Sequence, residues 1–185
     1  MPGGAIFNGM ASGKSLLAAL AGAALLPSPA LAASAPSPTR KASALMRALL
    51  SSRELWATVD VCSPADQPYT VGIRGSMPGD GQAHDRMYMS FRLQYLNSVS
   101  KRWVDLAGAS SSFVAVGTGK SARQGGRSFQ LVPGKGASML RGVVGFQWRH
   151  GTTVLQSVTR PTTAGHRSVA GADPAGFSAA TCPIG

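Results

Sequence analysis

Catalysis and ligand binding need titratable or hydrogen-bonding side chains gathered by a fold, and only a few stretches of this sequence could supply them. One is TTAGHRSVAGADPAG, residues 162–176, which sets His166 near Asp173, with Ser168 and Ser178 close by. An imidazole that accepts a serine proton and is itself oriented by a carboxylate is the arrangement of an acyl-transfer hydrolase. Neither serine stands in a Gly-x-Ser-x-Gly turn, the strained corner that exposes such a nucleophile. Gly165, Gly171 and Gly176 instead supply the positive φ angles that a winding loop needs. The stretch is read as turn chemistry and no catalytic residue is assigned. A small secreted hydrolase using His166 is the alternative.

A second stretch is the loop GDGQAHD, where Asp80, His84 and Asp85 offer mixed oxygen and nitrogen ligands to a divalent cation. Solvated loops carry the same residues at the same spacing, so no metal and no cofactor are assigned. GMASGKS, residues 9–15, imitates a phosphate loop, but three residues separate its glycines where the motif requires four. Cys62 and Cys182 are the only two cysteines. An even count in an exported chain reads as one disulfide. Closing a loop of about 120 residues stabilises a fold by about 4–5 kcal/mol in chain-entropy models. A cysteine nucleophile would need a free thiol.

The elements that must position these groups are strands. RMYMSFRLQYL alternates, with Met87, Met89, Phe91, Leu93 and Tyr95 on one face and Arg86, Tyr88, Ser90, Arg92 and Gln94 on the other. LRGVVGFQWR repeats the pattern, with Leu140, Val144, Phe146 and Trp148 opposed to Arg141, Gly145, Gln147 and Arg149. Such alternation marks antiparallel strands with one dry and one wet face. LWATVDVC, YTVGIRG, RWVDL, SFVAVG, RSFQLVP and TVLQSVTR are shorter candidates, punctuated by Gly, Pro, Asn and Ser. The expected fold is all-β, an antiparallel β-sandwich of seven to nine strands with one disulfide, over residues 55–185. NSVSKR and RHGTT read as hairpin turns, and GADPAGFSAATC as an extended edge segment held by Cys182. Trp148 has a clear inward phase, and Trp56 and Trp103 are read as core or hairpin residues.

Before the sandwich, residues 33–54 read as a Pro- and Ser-containing linker followed by a short amphipathic segment, in which Leu45, Met46, Leu49 and Leu50 recur at helical spacing. Residues 1–32 have the plan of a secretory signal peptide: Lys14, the apolar run SLLAALAGAALL, and the small-residue site Ala30-Leu31-Ala32. The run is shorter than the roughly 20 residues of a membrane-spanning helix, and no second apolar span follows. The expected location is outside the cell or in the cell envelope.

The segments RELWATVDVC, GIRGSMPG, ARQGGRSF, LRGVVGFQWRHG and ADPAGFSAATC resemble parts of small secreted proteins of high-GC bacteria. The architecture resembles immunoglobulin and fibronectin-III sandwiches, although the antibody-type Cys…Trp…Cys spacing is absent, with the cysteines near the two ends of the domain. The resemblance implies export and a sandwich and brings no catalytic motif.

The formal charge is +11, and losing the leader removes one lysine and no acid. A surface this basic attracts anionic polymers. If the two long strands share a sheet, Arg86, Arg92, Arg141 and Arg149 stand on its wet face around Tyr88. Guanidinium groups pair with carboxylate or phosphate, and an aromatic ring stacks on a sugar. The competing reading is that arginine on a strand only discourages edge-to-edge aggregation. The expected function is that of a monomeric, non-enzymatic binding module. Its partner would be an anionic polysaccharide or another extracellular protein, with nucleic acid no physiological target. An inhibitor-like protein-binding domain is a further alternative.

Overall fold

The computed structural model describes residues 38–134 and 137–185. The expected leader and the start of the linker lie outside the described residues. Among the described residues one helix, α1 (Pro38–Ser51), precedes nine strands: β1 (Trp56–Cys62), β2 (Thr70–Met77), β3 (Arg86–Leu96), β4 (Trp103–Ser110), β5 (Val114–Thr118), β6 (Arg123–Gln130), β7 (Ser138–His150), β8 (Thr153–Pro161) and β9 (Cys182–Ile184). Among the described residues no helix is long and apolar enough to cross a membrane.

The strands form two antiparallel sheets. The smaller runs β1-β2-β6, and the larger runs β4-β3-β7-β8, with β5 also on β3 and β9 also on β7. Both expected hairpins are present, β3 to β4 through NSVSKR and β7 to β8 through RHGTT. The alternation of β3 and β7 does what period two requires. Met87, Met89, Phe91, Leu93, Leu140, Val144, Phe146 and Trp148 are all buried. They face Ala57, Val59, Val71, Ile73 and Met77 of the smaller sheet in one core. Each large side chain so buried contributes about 1.5–3 kcal/mol. Gly75 sets the local spacing of the sheets, because a Cβ there would stand 3.0 Å from Phe146 and Val144. The Trp148 indole Nε1 donates to Pro78 O at 2.9 Å, which satisfies its one polar atom inside the core.

The disulfide forms between Cys62 and Cys182. It joins β1 of the smaller sheet to β9 of the larger, so the two cysteines near the ends of the domain do bridge the two sheets. The closing segment is not one extended edge strand: it turns at Pro174–Gly176 and meets β1 through isolated bridges at Asp173 and Ala179, the latter exchanging backbone hydrogen bonds of 2.9 and 3.1 Å with Val59. On the outer side of the smaller sheet, Arg74 Nε bonds the buried Asp60 carboxylate at 2.8 Å. Gly171, at φ +70°, passes over that guanidinium where a Cβ would stand 2.8 Å from it.

The amphipathic segment is a helix that packs on the sandwich. Leu49 enters the core and Met46 and Leu50 rest against it, while Leu45 is left exposed. Arg160 donates to Leu50 O at 3.2 Å, a cation on a last-turn carbonyl of the helix.

Candidate functional site

The two long strands are neighbours in the larger sheet. Their register sets Arg86 opposite Arg149, Tyr88 opposite Gln147, and Gln94 opposite Arg141. The face turned away from the core therefore gathers Arg86, Tyr88, Arg92, Arg141 and Arg149, as the alternation requires. β3 and β7 are interior strands, flanked by β4 and β5 on one side and β8 and β9 on the other. Their arginines cannot serve to blunt a sheet edge, which corrects the competing reading.

Each guanidinium except that of Arg86 is held by neighbours. Arg149 lies over the Tyr88 ring at 4.3 Å and the Phe113 ring at 5.4 Å, and its Nε donates to Gln147 Oε1 at 2.8 Å. Phe113 reaches this position because β7 has glycine beneath it: a Cβ on Gly145 would stand 3.3 Å from the ring. Arg141 lies over Trp103 at 4.4 Å and donates to Gln94 Oε1 at 2.9 Å. Gln94 and Arg92 both donate to Asp105 Oδ1, at 2.7 and 3.1 Å. Those two contacts, the glutamine first, hold the Asp105 carboxyl below its usual value. Burial, and then the charge of Arg92, push Arg141 below the ordinary arginine range.

The result is a basic face with two aromatic–arginine stacks and one exposed carboxylate. Trp103, Asp105 and Phe113 belong to it and were not among the expected residues. Their signal was weak, since RWVDL shows no clear phase and Phe113 precedes its strand.

The loops do not assemble the hydrolase arrangement. His166 stacks on Trp56, with ring centroids 4.6 Å apart, and its Nε2 lies 2.7 Å from Thr163 Oγ1. Ser178 Oγ accepts the His166 backbone N–H at 3.0 Å and lies 2.8 Å from Thr58 Oγ1, so it serves the loop's structure. Asp173 donates its backbone N–H to Asp60 O. Ser168 is a turn residue with φ +57°. Burial pushes the His166 imidazole below its ordinary value.

The GDGQAHD loop divides. Asp80 and Asp85 are buried while His84 is exposed. His150 takes the place expected for a histidine, its Nδ1 2.7 Å from Asp85 Oδ1. The pairing of Arg86 with Arg149 brings the adjacent Asp85 and His150 together, a contact that loop spacing cannot reveal. Burial, reinforced by Asp85 and opposed by the Gln82 N–H, raises the Asp80 carboxyl above its usual value. Among the described residues no group of three or more His, Cys, Asp or Glu is arranged to hold a metal ion.

No protein-family model and no curated protein matches the chain. Among solved structures it is similar to the Pseudomonas fluorescens alkylpurine DNA glycosylase AlkC bound to DNA containing an abasic site analog, at 11% identity and a TM-score of 0.29. That match covers 59% of this chain and 29% of the other.

Proposed function

We propose that this protein is an exported, non-enzymatic binding module whose outer β3/β7 face takes an anionic polysaccharide. The observation that carries the reading is an unfavourable one. Arg86 and Arg149 oppose each other directly across two interior strands, and the charge of Arg92 disfavours the charged form of Arg141. Like charges directly opposite in a sheet are destabilising. One exposed aspartate, Asp105, does not neutralise four arginines, whereas carboxylate or sulfate groups of a polymer would. Tyr88, Phe113 and Trp103 lie under two of the guanidinium groups and so fix where these can meet the anionic groups of a polymer.

The test is retention of the oxidised protein on immobilised polygalacturonate, alginate and a neutral glucan across a salt series, beside Arg92→Gln/Arg149→Met. The double variant removes one arginine from each repelling pair and keeps the Arg149 stem. It is expected to elute at markedly lower salt from the anionic columns with an unchanged or higher Tm. Equal elution of the two proteins, or equal retention on the neutral glucan, refutes the reading.

A further inference from the structure

The sandwich closes unevenly on the side where β6 ends the smaller sheet and β4 ends the larger. Opposite the first half of β6 the gap is filled by β5, where a Cβ on Gly125 would meet Val116 at 2.9 Å. Opposite the second half the sheets part around a cleft of about 700 Å³. Ligand cavities run from about 300 to 1,000 Å³. Its floor is Tyr69, Tyr95, Phe129, Leu131, Leu140 and Ile184.

The walls identify the kind of ligand. Leu106–Ala109 and Arg127–Val132 line the cleft without a break in sequence. Side chains alternate between the faces of a strand, so an unbroken run borders a cavity only where the cavity meets the strand's edge. Among the described residues β6 pairs only with β2, so its other edge opens on the cleft, while Leu106–Ala109 lie in the register shift of β4, where Gly108 has φ +78°, and form an irregular opposite wall. The cleft is therefore bounded on the β6 side by a row of outward backbone N–H and C=O groups above an apolar floor. An acyl chain seated there would strip water from those groups and return no hydrogen bond, at a cost of about 1–3 kcal/mol for each group. An extended peptide returns bond for bond and sends every second side chain to the floor. β6 carries Arg123 and Arg127 and no acid. The Arg127 guanidinium lies over Phe129 at 5.8 Å, and no ion pair of the described residues includes it.

We propose that this seam accepts an extended segment of another protein as an added strand on the edge of β6, the segment setting apolar residues and an acidic one on the side that faces Phe129 and Arg127, which share one face of β6. The proposal does not depend on the basic face, which uses side chains on a different surface.

The experiment is panning of a random linear peptide library against the oxidised full chain, followed by titration of the enriched sequences as synthetic peptides. The enriched peptides are expected to carry apolar residues at every second position, with an acidic residue at one position of that same series. N-methylation of alternate amides should weaken them at least about tenfold, while N-methylation of the intervening amides does not. Binding should slow amide exchange within residues 127–130. Ala107→Trp, at an exposed position of the β4 wall, should abolish binding, Arg127→Glu should weaken it at least about tenfold, and Arg92→Gln/Arg149→Met should leave it intact. The proposal is overturned if no sequence enriches above the Ala107→Trp background, or if N-methylation has no positional effect. It is equally overturned if dodecanoate saturates the cleft while the peptides are ignored, or if the cleft proves to be a contact between two copies that Ala107→Trp dissociates.

Discussion

Replacing Arg74 by methionine should destabilise the fold at neutral pH by about 3–5 kcal/mol, the usual cost of leaving one buried charge without its partner. The two members of this pair are unequal. Asp60 is 2% exposed, and its Oδ1 is buried with no hydrogen-bond partner among the described residues. The Arg74 side chain is 21% exposed and can reach water. Burial already raises the Asp60 carboxyl, although the Arg74 hydrogen bond and charge act to lower it. Methionine keeps the stem and removes only those opposing influences, so the folded value rises further. A carboxyl raised in the fold contributes stability that is fully present below its unfolded value of 3.8 and is lost as the pH rises through the folded value. The deficit of Arg74→Met should therefore be largest near neutral pH and shrink as the pH falls toward about 4. Asp60→Asn/Arg74→Met should recover most of it. Urea unfolding followed by tryptophan fluorescence, with the disulfide intact, measures all three proteins. A deficit below about 1 kcal/mol at neutral pH, or one that does not change with pH, would refute the account of this pair.

The disulfide closes a separation of 120 residues, so Cys62→Ala/Cys182→Ala should lose about 4–5 kcal/mol in the same assay, and a loss under 1 kcal/mol would mean that the sheets hold together without it. Asp80 is raised by burial and by Asp85, which puts its favourable contribution below about pH 4 and removes it as the pH rises. Asp80→Asn keeps an acceptor for the Gln82 N–H and removes the like charge, so it should raise Tm near neutral pH and leave it unchanged in acid. A lower Tm near neutral pH would show that the ionised carboxylate is needed, for example to hold Asp85 against His150.

The strands were legible because burial on one face forces period two. Met87 to Leu93 and Leu140 to Trp148 declare their phase in the sequence, and so the outer arginines declare theirs. Strand order was not legible. Nothing local in RMYMSFRLQYL or LRGVVGFQWR says that they pair, yet that pairing turns two separate arginine rows into one face. The same limit hid the contact of Asp85 with His150, which depends on register between strands distant in the chain. Trp103 and Phe113 were missed for another reason. Each is fixed by what it covers, a guanidinium in one case and a glycine of β7 in the other, and such contacts leave no periodic trace. His166 and Asp173 show the opposite error to avoid. They are near in sequence, but the ring turns to Trp56 and Thr163, while Asp173 serves the edge of β1.

The two surfaces respond to solution conditions in opposite ways, and this makes their roles separable in one protein. The ligand contact proposed for the β3/β7 face rests on charged side chains that are partly open to water, so binding there would weaken steeply as salt screens it over about 10 Å or less. The segment proposed for the β4/β6 seam would be held chiefly by backbone hydrogen bonds and apolar side chains, so added salt would screen only its contact with Arg127 while the rest persists. A ligand that uses the face alone is released by moderate salt and ignores Ala107→Trp. A segment held by the seam alone survives the same salt and ignores Arg92→Gln/Arg149→Met. A partner that presents an anionic glycan beside an extended acidic segment would engage both. Its affinity would then exceed the stronger single contact by the effective concentration that tethering supplies, and either variant would reduce it to one contact.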